Sequence, residues 1–359
     1  MTEPEYENYS FWDRIGNDRP IILYGTGNGA DKIIDELMKK GKSPDGVFAS
    51  DGFVRNRSFR GMTVRSYGEI IDRFGSDITV LVSFGSFQPR VIDFVKELDR
   101  KHELIVPDVP LYGGELFDYD CFLKNKNMID ETIGLFCDEQ SQKLFADAIN
   151  YRLTGKLKYL FRCEPFEESV KTLISGGSVR SLIDGGAYRG DTLEIFRSVF
   201  PNLSTVFAVD ADPTSLRKLS EAFADGRIKS INAVLSDKDG KTSVLSSSGR
   251  GTGRLGSSRR AKRVFVDEKK IDTILDGSPV DLIKLDVEGD EKAALKGASG
   301  TISAYSPDLI VSLYHRTDDI FDIPEMIKSA DEKYDLYLRR PMCLPMWDLN
   351  LFAIKRREE

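Results

Sequence analysis

Twice along this chain an apolar strand runs into a glycine turn that opens a helix, over residues 21–30 and again over 181–192. A strand that enters a helix this way, followed by further strand and helix alternations, restricts the fold to a mostly parallel sheet with helices on both faces. Around the first turn, 21–24, 47–49, 78–83 and 103–106 read as strands, with 30–40, 66–74 and 89–101 as helices between them. Around the second, strands are expected at 181–184, 205–210, 228–235, 280–286 and 308–314, and helices at 192–199, 215–224 and 291–302. A chain of 359 residues exceeds the length at which one core usually stops growing. The expectation is therefore an α/β protein with two Rossmann-like doubly wound sheets. Residues 1–110 form the first unit, 169–359 the second, and 111–168 a helical connector in which Leu144, Phe145, Ala148 and Ile149 fall at helical spacing.

The segment Ser181-Leu-Ile-Asp-Gly-Gly-Ala-Tyr-Arg-Gly-Asp-Thr192 carries the strongest chemical signal. Gly185, Gly186 and Gly190 let backbone approach a ligand, and the following helix N-terminus presents free N–H groups to a carboxylate. Asp184, at the strand end, is placed to meet an ammonium group. The strand that follows ends in Asp210, the position from which such sheets hydrogen-bond ribose hydroxyls. The plainer alternative is that Asp184 and Asp210 cap the helices after them. A third piece, Val280-Asp-Leu-Ile-Lys-Leu-Asp-Val-Glu-Gly-Asp-Glu291, ends a buried strand in acids around a glycine, which sets Asp286 and Glu288 at the ligand crevice. Asp290 and Glu291 fall in the first turn of the next helix, where they offset its dipole.

Three stretches resemble the FkbM-type S-adenosylmethionine (SAM) dependent methyltransferases: IDGGAYRGDT at 183–192, IKLDVEGDE at 283–291 followed by LKGA at 295–298, and LYHRTDDIFDIP at 313–324. The resemblance implies a class I methyltransferase fold for the second unit and methyl transfer to oxygen, commonly a hydroxyl of a sugar or secondary metabolite. SAM is then the cofactor, and its expected contacts are Asp184, Gly185, Gly186, Ala187, Tyr188, Gly190, Asp191, Thr192, Asp210, Ala233 and Asp286. At Asp210 many members have glutamate; the shorter side chain keeps both acceptor oxygens. An alcohol must lose its proton, and His315, at the end of the last core strand, is the leading base, with Glu288 and Asp286 behind it. A divalent cation on Asp286 and Glu288 is an alternative way to acidify the hydroxyl, but no metal is expected.

The first turn, Tyr24-Gly-Thr-Gly-Asn-Gly-Ala30, matches a dinucleotide-type pattern, and its ribose acid is ambiguous between Asp45 and Asp51. It is similar to the nucleotide-sugar-binding N-terminal domains of some sugar acyltransferases. Ligand binding and a purely structural or docking role both stay open there. Residues 246–263 form a Gly-, Ser- and Arg-rich loop with Arg250, Arg254, Arg259, Arg260, Lys262 and Arg263. It is either a solvated loop or a lid for an anionic acceptor.

A net charge of -7 argues against nucleic acid or anionic membrane as partner, and the acidic start lacks a signal peptide's features, so a cytoplasmic protein is expected. Cys121, Cys137, Cys163 and Cys343 are scattered without a C-x-x-C pair, and His102 and His315 are the two histidines, which excludes a multi-histidine centre. Two rival functions are a pyridine-nucleotide oxidoreductase working through the first turn and a non-catalytic SAM or nucleotide-sugar binder. Neither accounts for both 183–192 and 283–291.

Overall fold

The computed structural model describes residues 5–16, 18–50, 54, 58–112, 114–224, 226–246, 252–253 and 262–356. Its first sheet holds β1 (Ile21–Tyr24), β2 (Gly46–Phe48), β3 (Ser58–Phe59), β4 (Met62–Arg65), β5 (Thr79–Val82) and β6 (Glu103–Ile105), in the order β3-β4-β2-β1-β5-β6. All pairings are parallel except the β3–β4 hairpin. Strand order reverses between β1 and β5, so the crevice of this sheet lies outside their carboxyl ends. Helix Asn28–Lys39 buries Ala30, Ile33, Ile34 and Leu37, the stripe that its 3.6-residue spacing foretells. A capping box of Ser66 and Glu69 starts helix Tyr67–Phe74, and Pro89 starts helix Pro89–Lys101 at a position where its missing N–H costs nothing.

The second sheet contains β7 (Ser181–Gly185), β8 (Thr205–Asp210), β9 (Ile228–Leu235), β10 (Gly240–Ser246), β11 (Thr252–Gly253), β12 (Lys262–Lys269), β13 (Leu282–Leu285), β14 (Asp308–Ser312), β15 (Tyr334–Arg339) and β16 (Asn350–Lys355). Their order is β11-β10-β12-β9-β8-β7-β13-β14-β16-β15. The run from β12 to β14 is parallel, and antiparallel strands flank it at both ends. Every residue of β13 is buried, as expected of a strand covered on both faces. Here the order reverses between β7 and β13, which puts the ligand crevice where the Ser181–Thr192 and Val280–Glu291 segments meet.

Two expectations need correction. The segment expected as a 246–263 loop begins and ends in strand, since Ser246 closes β10, Lys262 and Arg263 open β12, and Thr252–Gly253 pairs with β10. Residues 247–251 and 254–261, with Arg250, Arg254, Arg259 and Arg260, lie outside the described residues. The helix expected over 291–302 is two, Glu291–Lys296 and Ser299–Tyr305. Gly297 lies between them where the backbone presses against the Ser236 carbonyl, and a Cβ there would lie 2.0 Å from that oxygen. Asp272 then accepts from the Gly300 and Thr301 amides and caps the second helix. The connector holds Tyr119–Ile133 as well as Glu139–Thr154, each capped by an aspartate, Asp118 or Asp138. One continuous apolar cluster runs from Ile22 and Val80 through Phe145 and Ile149 to Ile283 and Leu309, so these helices fill the space between the sheets. Among the described residues no helix is long and apolar enough to cross a membrane.

Candidate active site

Asp184 and Lys284 sit opposite each other in the β7–β13 register, so their side chains leave the same face of adjacent strands. They form an ion pair of 3.0 Å, and both are buried. Burial opposes charge on Lys284, but Asp184 and Asp286 hold it protonated. Its ammonium also donates to the Gly186 carbonyl at 3.2 Å, so this pair underpins the glycine turn. The expectation that Asp184 meets a ligand's ammonium is therefore corrected: its carboxylate is fully buried and committed to Lys284. Lys284, which motif reading passed over, was signalled by a charge inside an otherwise apolar strand.

The turn itself requires glycine where it crosses β13. At Gly186, φ is +76°, and a Cβ would lie 1.9 Å from the Asp286 carbonyl oxygen. Tyr188 follows with φ +45°, and its amide donates to Asp210 Oδ2 at 2.8 Å. The other Asp210 oxygen accepts from the Asp212 amide at 2.7 Å. Asp210 thus ties the β7 turn to the end of β8 and does not cap a helix; Asp212 does that for Pro213–Ala222. Each carboxylate oxygen keeps a further lone pair for a ligand hydroxyl. Helix Asp191–Val199 starts at Gly190 with no side-chain cap, leaving its first N–H groups open to an anion, beside Asp191 and Thr192. Ala187 is buried under the turn. Ala233 is also buried, on β9 two residues before Leu235, whose side chain faces Gly185. These features fit a ligand that carries a carboxylate and a ribose.

Beyond β13 the loop 286–291 gathers the remaining acids. The Asp286 amide donates to the Gly185 carbonyl at 3.0 Å, which keeps this loop in contact with the glycine turn. Glu291, completely buried, bends back to accept from the Val287 amide at 2.8 Å and from His315 Nδ1 at 2.8 Å. It organises the loop and the imidazole, a larger part than the dipole role its position suggested. His315 is 1% exposed, and its Nε2 lies 3.5 Å from Asp286 and 3.6 Å from Glu288, both about one-third exposed. Burial alone would lower the imidazole pKa, but Glu291, Asp286 and Glu288 together raise it to about 9. His315 is accordingly a cation near neutral pH, which differs from the neutral imidazole expected of a base.

Burial likewise works to raise Asp286, yet Lys284, His315 and the Tyr314 hydroxyl, 3.0 Å away, hold its pKa below the usual carboxylate range. For Glu288 burial wins, and its pKa is raised despite His315 and the nearby Tyr112 hydroxyl. Glu288 also takes a left-handed backbone, φ +58°, a conformation that costs free energy and is commonly retained where a side chain must be aimed. Asp348, next to these groups, is pushed to about 6 by burial and by Asp286. Asp286, Glu291 and His315 offer ligand atoms within 4.8 Å of one another. Around His315 the carboxylates of Asp286, Glu288 and Glu291 form an ion network. Tyr112, Tyr314 and Asp348 had no local sequence signature.

The first glycine turn is built differently. Asp45 lies before β2, at the amino end of the sheet, where it accepts from the Ile21 amide at 2.8 Å. It is thus on the wrong edge for a ribose in the crevice, and Asp51 lies outside the described residues. Beneath the turn are rings: Tyr24 stacks on Phe48 at 4.5 Å and meets Phe84 and Phe94 edge-on.

A family model described as the methyltransferase FkbM domain matches residues 184–336. No curated protein matches the chain. Among solved structures, the chain is similar to the methyltransferase FkbM from Methylobacillus flagellatus KT, at 19% identity and a TM-score of 0.70, over 95% of this chain and 92% of that one. Weaker likenesses include Aeropyrum pernix fibrillarin with natively bound S-adenosyl-L-methionine (15% identity, TM-score 0.33, 52% of this chain and 73% of that one). Another is the SAH-bound Podospora anserina methyltransferase PaMTH1 (11%, TM-score 0.32, 76% and 98%). The fold is that of the class I methyltransferases, joined to a second parallel sheet. Residues 184–336 are thus similar to the methyltransferase FkbM domain, and the chain shares its fold with a methyltransferase FkbM.

Proposed function

We propose that the chain is an O-methyltransferase for a hydroxyl group of a sugar, glycan precursor or secondary metabolite, with Glu288 as general base. What supports this most directly is the contact between the glycine turn and the loop after β13, a loop that carries the partly exposed Glu288 carboxylate of raised pKa. SAM, when bound, supplies a methyl group activated by its sulfonium. The residues to hold it are Gly185, Gly186, Ala187, Tyr188, Gly190, Asp191 and Thr192 around the open helix N-terminus, together with Asp210 for the ribose hydroxyls.

An alcohol oxygen becomes a competent nucleophile as its proton leaves, and Glu288 takes that proton onto a carboxylate oxygen. The raised pKa makes Glu288 a stronger base than an ordinary glutamate. His315, already protonated, cannot accept it. Its role is to balance the charge of the Asp286 and Glu288 carboxylates. Asp286, with its lowered pKa, remains an anion that orients the Tyr314 hydroxyl. Most of the rate effect comes from holding the acceptor oxygen in line, and the base adds about 100-fold or more. The acceptor is a small molecule; the net charge of -7 speaks against a nucleic acid.

The test is Glu288→Gln, expected to lower kcat about 100-fold while calorimetry finds the SAM dissociation constant unchanged. A variant that keeps wild-type kcat sinks the base assignment.

A further inference from the structure

One side chain in this cluster comes from the part of the chain that precedes the matched domain. Tyr112 lies in the segment that leaves the carboxyl end of β6 in the first sheet. Its hydroxyl is near enough to Glu288 to favour the charged carboxylate, and its ring stands edge-on to His315 with centroids 5.5 Å apart. The backbone here is pinned from both sheets. Arg316 donates to the Tyr112 carbonyl at 3.2 Å and to the Gly289 carbonyl at 2.5 Å, and Thr317 donates to the Glu115 carbonyl at 2.6 Å. From the other side, Lys32 of the first unit donates to the Pro110 and Leu111 carbonyls at 2.8 and 2.5 Å. The 286–291 loop passes flush against the tyrosine, since a Cβ on Gly289 would lie 3.2 Å from Tyr112 Cβ.

We propose that Tyr112 is a positioning residue for methyl transfer, whose hydroxyl holds the Glu288 carboxylate in the orientation that receives the acceptor proton, so that the first-sheet side of the chain completes the active site. This rests on the base assignment for Glu288. A glutamate side chain has three rotatable bonds, and His315, at 3.6 Å, is too far to fix it by a hydrogen bond. Tyrosine is a rigid donor with two side-chain torsions, here locked by its own backbone contacts. The arrangement gives the segment between the two sheets a direct part in catalysis, and it explains why Arg316 and Thr317, directly after the buried His315, bond that segment's backbone.

Other groups also face Glu288. His315 and Tyr314 approach from the segment after β14, Asp286 and Glu291 from the two ends of its own loop, and Arg316 lies against Gly289. A hydrogen bond to the carboxylate favours its charged form, so loss of the Tyr112 hydroxyl raises the Glu288 pKa. The experiment uses the full chain with 13C-labelled glutamate carboxyls, in wild type, Tyr112→Phe, Glu288→Gln and the double variant. The Glu288 signal is identified by its absence in Glu288→Gln. In Tyr112→Phe its titration midpoint is expected to rise by about half a unit or more. Methyl transfer is followed from tritiated-methyl SAM to a panel of free and nucleotide-linked hexoses. Tyr112→Phe is expected to lower kcat about 10-fold with the KM for SAM unchanged, and to add less than about twofold once Glu288 is glutamine. An unchanged midpoint, or two losses that multiply in the double variant, overturns the positioning role. A Glu288→Gln enzyme with full kcat overturns the base assignment instead, and the midpoint shift in Tyr112→Phe separates the two failures. Because phenylalanine preserves the ring, an unchanged melting temperature excludes misfolding as the cause.

Discussion

The two glycine turns look alike as strings of residues, each a strand that ends in glycines before a helix, but they stand on different foundations. Under Gly185–Gly186 lies a buried ion pair, Asp184 with Lys284, and the turn is clamped to β8 by Asp210 and to β13 by the Asp286 backbone. Under Gly25–Gly27 lies a layer of aromatic rings, with the Tyr24 hydroxyl against Ser50 at 2.5 Å as its polar element. Buried charges are costly unless they are paired and committed to something. A turn that keeps them at a crevice is organised for charged ligands, whereas packed rings stabilise the sheet edge by themselves. Glycine spacing reports where backbone comes close, and the residues beneath the turn report what it comes close to.

Gly186→Ala should show the largest effect of any single change in this contrast. The new Cβ would fall 1.9 Å from the Asp286 carbonyl at a φ of +76°, so both steric overlap and left-handed strain apply. A loss of about 3 kcal/mol in folding stability is expected, together with loss of measurable binding of SAM or its demethylated product. Denaturant unfolding and calorimetry check the two parts. An alanine variant with native stability would mean that the turn can part from β13, and the contrast with the first turn would weaken.

The two candidate ribose acids offer a second comparison, smaller in size. Asp210→Ala removes an acceptor from the crevice side of the second sheet and is expected to weaken SAM binding by about 2 to 4 kcal/mol. Asp45→Ala, at the amino edge of the first sheet, removes the acceptor for the Ile21 amide. It is expected to cost about 1 kcal/mol of stability, with SAM affinity unchanged. Equal SAM affinity in Asp210→Ala and wild type would take the ribose role from Asp210.

How far the sequence could be read follows the same division between local and distant causes. The parallel strands β1, β5, β7, β8 and β13 were legible because each is a short apolar run ending at a turn. By contrast β15 and β16 were not read, although Tyr334-Asp-Leu-Tyr-Leu-Arg339 alternates between more and less buried side chains. They pair antiparallel beyond β14, with β16 inserted between β14 and β15, a topology set by contacts far apart in the chain. In the site, Asp210, Asp286 and Glu288 could be placed from strand ends alone. The charge on His315 could not, because it depends on carboxylates from two positions in one loop and a third at a helix start. Tyr112 is more distant still, since its position is set by the first sheet and its partner by the second.

The smallest expected effect is Gly27→Ala, which probes the question the first turn leaves. Gly25 and Gly29 are explained by packing, since a Cβ on either would collide with Phe84 or with the Ser83 carbonyl. Gly27 has nothing within 4 Å of where its Cβ would stand and an ordinary extended φ of -94°. Folding therefore gives no reason for glycine there beyond its mild preference as a helix N-cap. Replacing it by alanine should cost under about 1 kcal/mol and leave SAM affinity and methyl transfer as they were. A ligand lying against the turn would change that outcome in a specific way, because a methyl group at Gly27 would occupy the space a phosphate needs in order to reach the Asn28 and Gly29 amides. The two causes separate cleanly. A variant with native melting temperature and native SAM affinity, but a KM for a nucleotide-linked hexose raised at least 10-fold, would assign the first turn to the acceptor and place both glycine turns in one reaction. Unchanged kinetics with every hexose in the panel would leave the aromatic layer as the reason for the first turn's form.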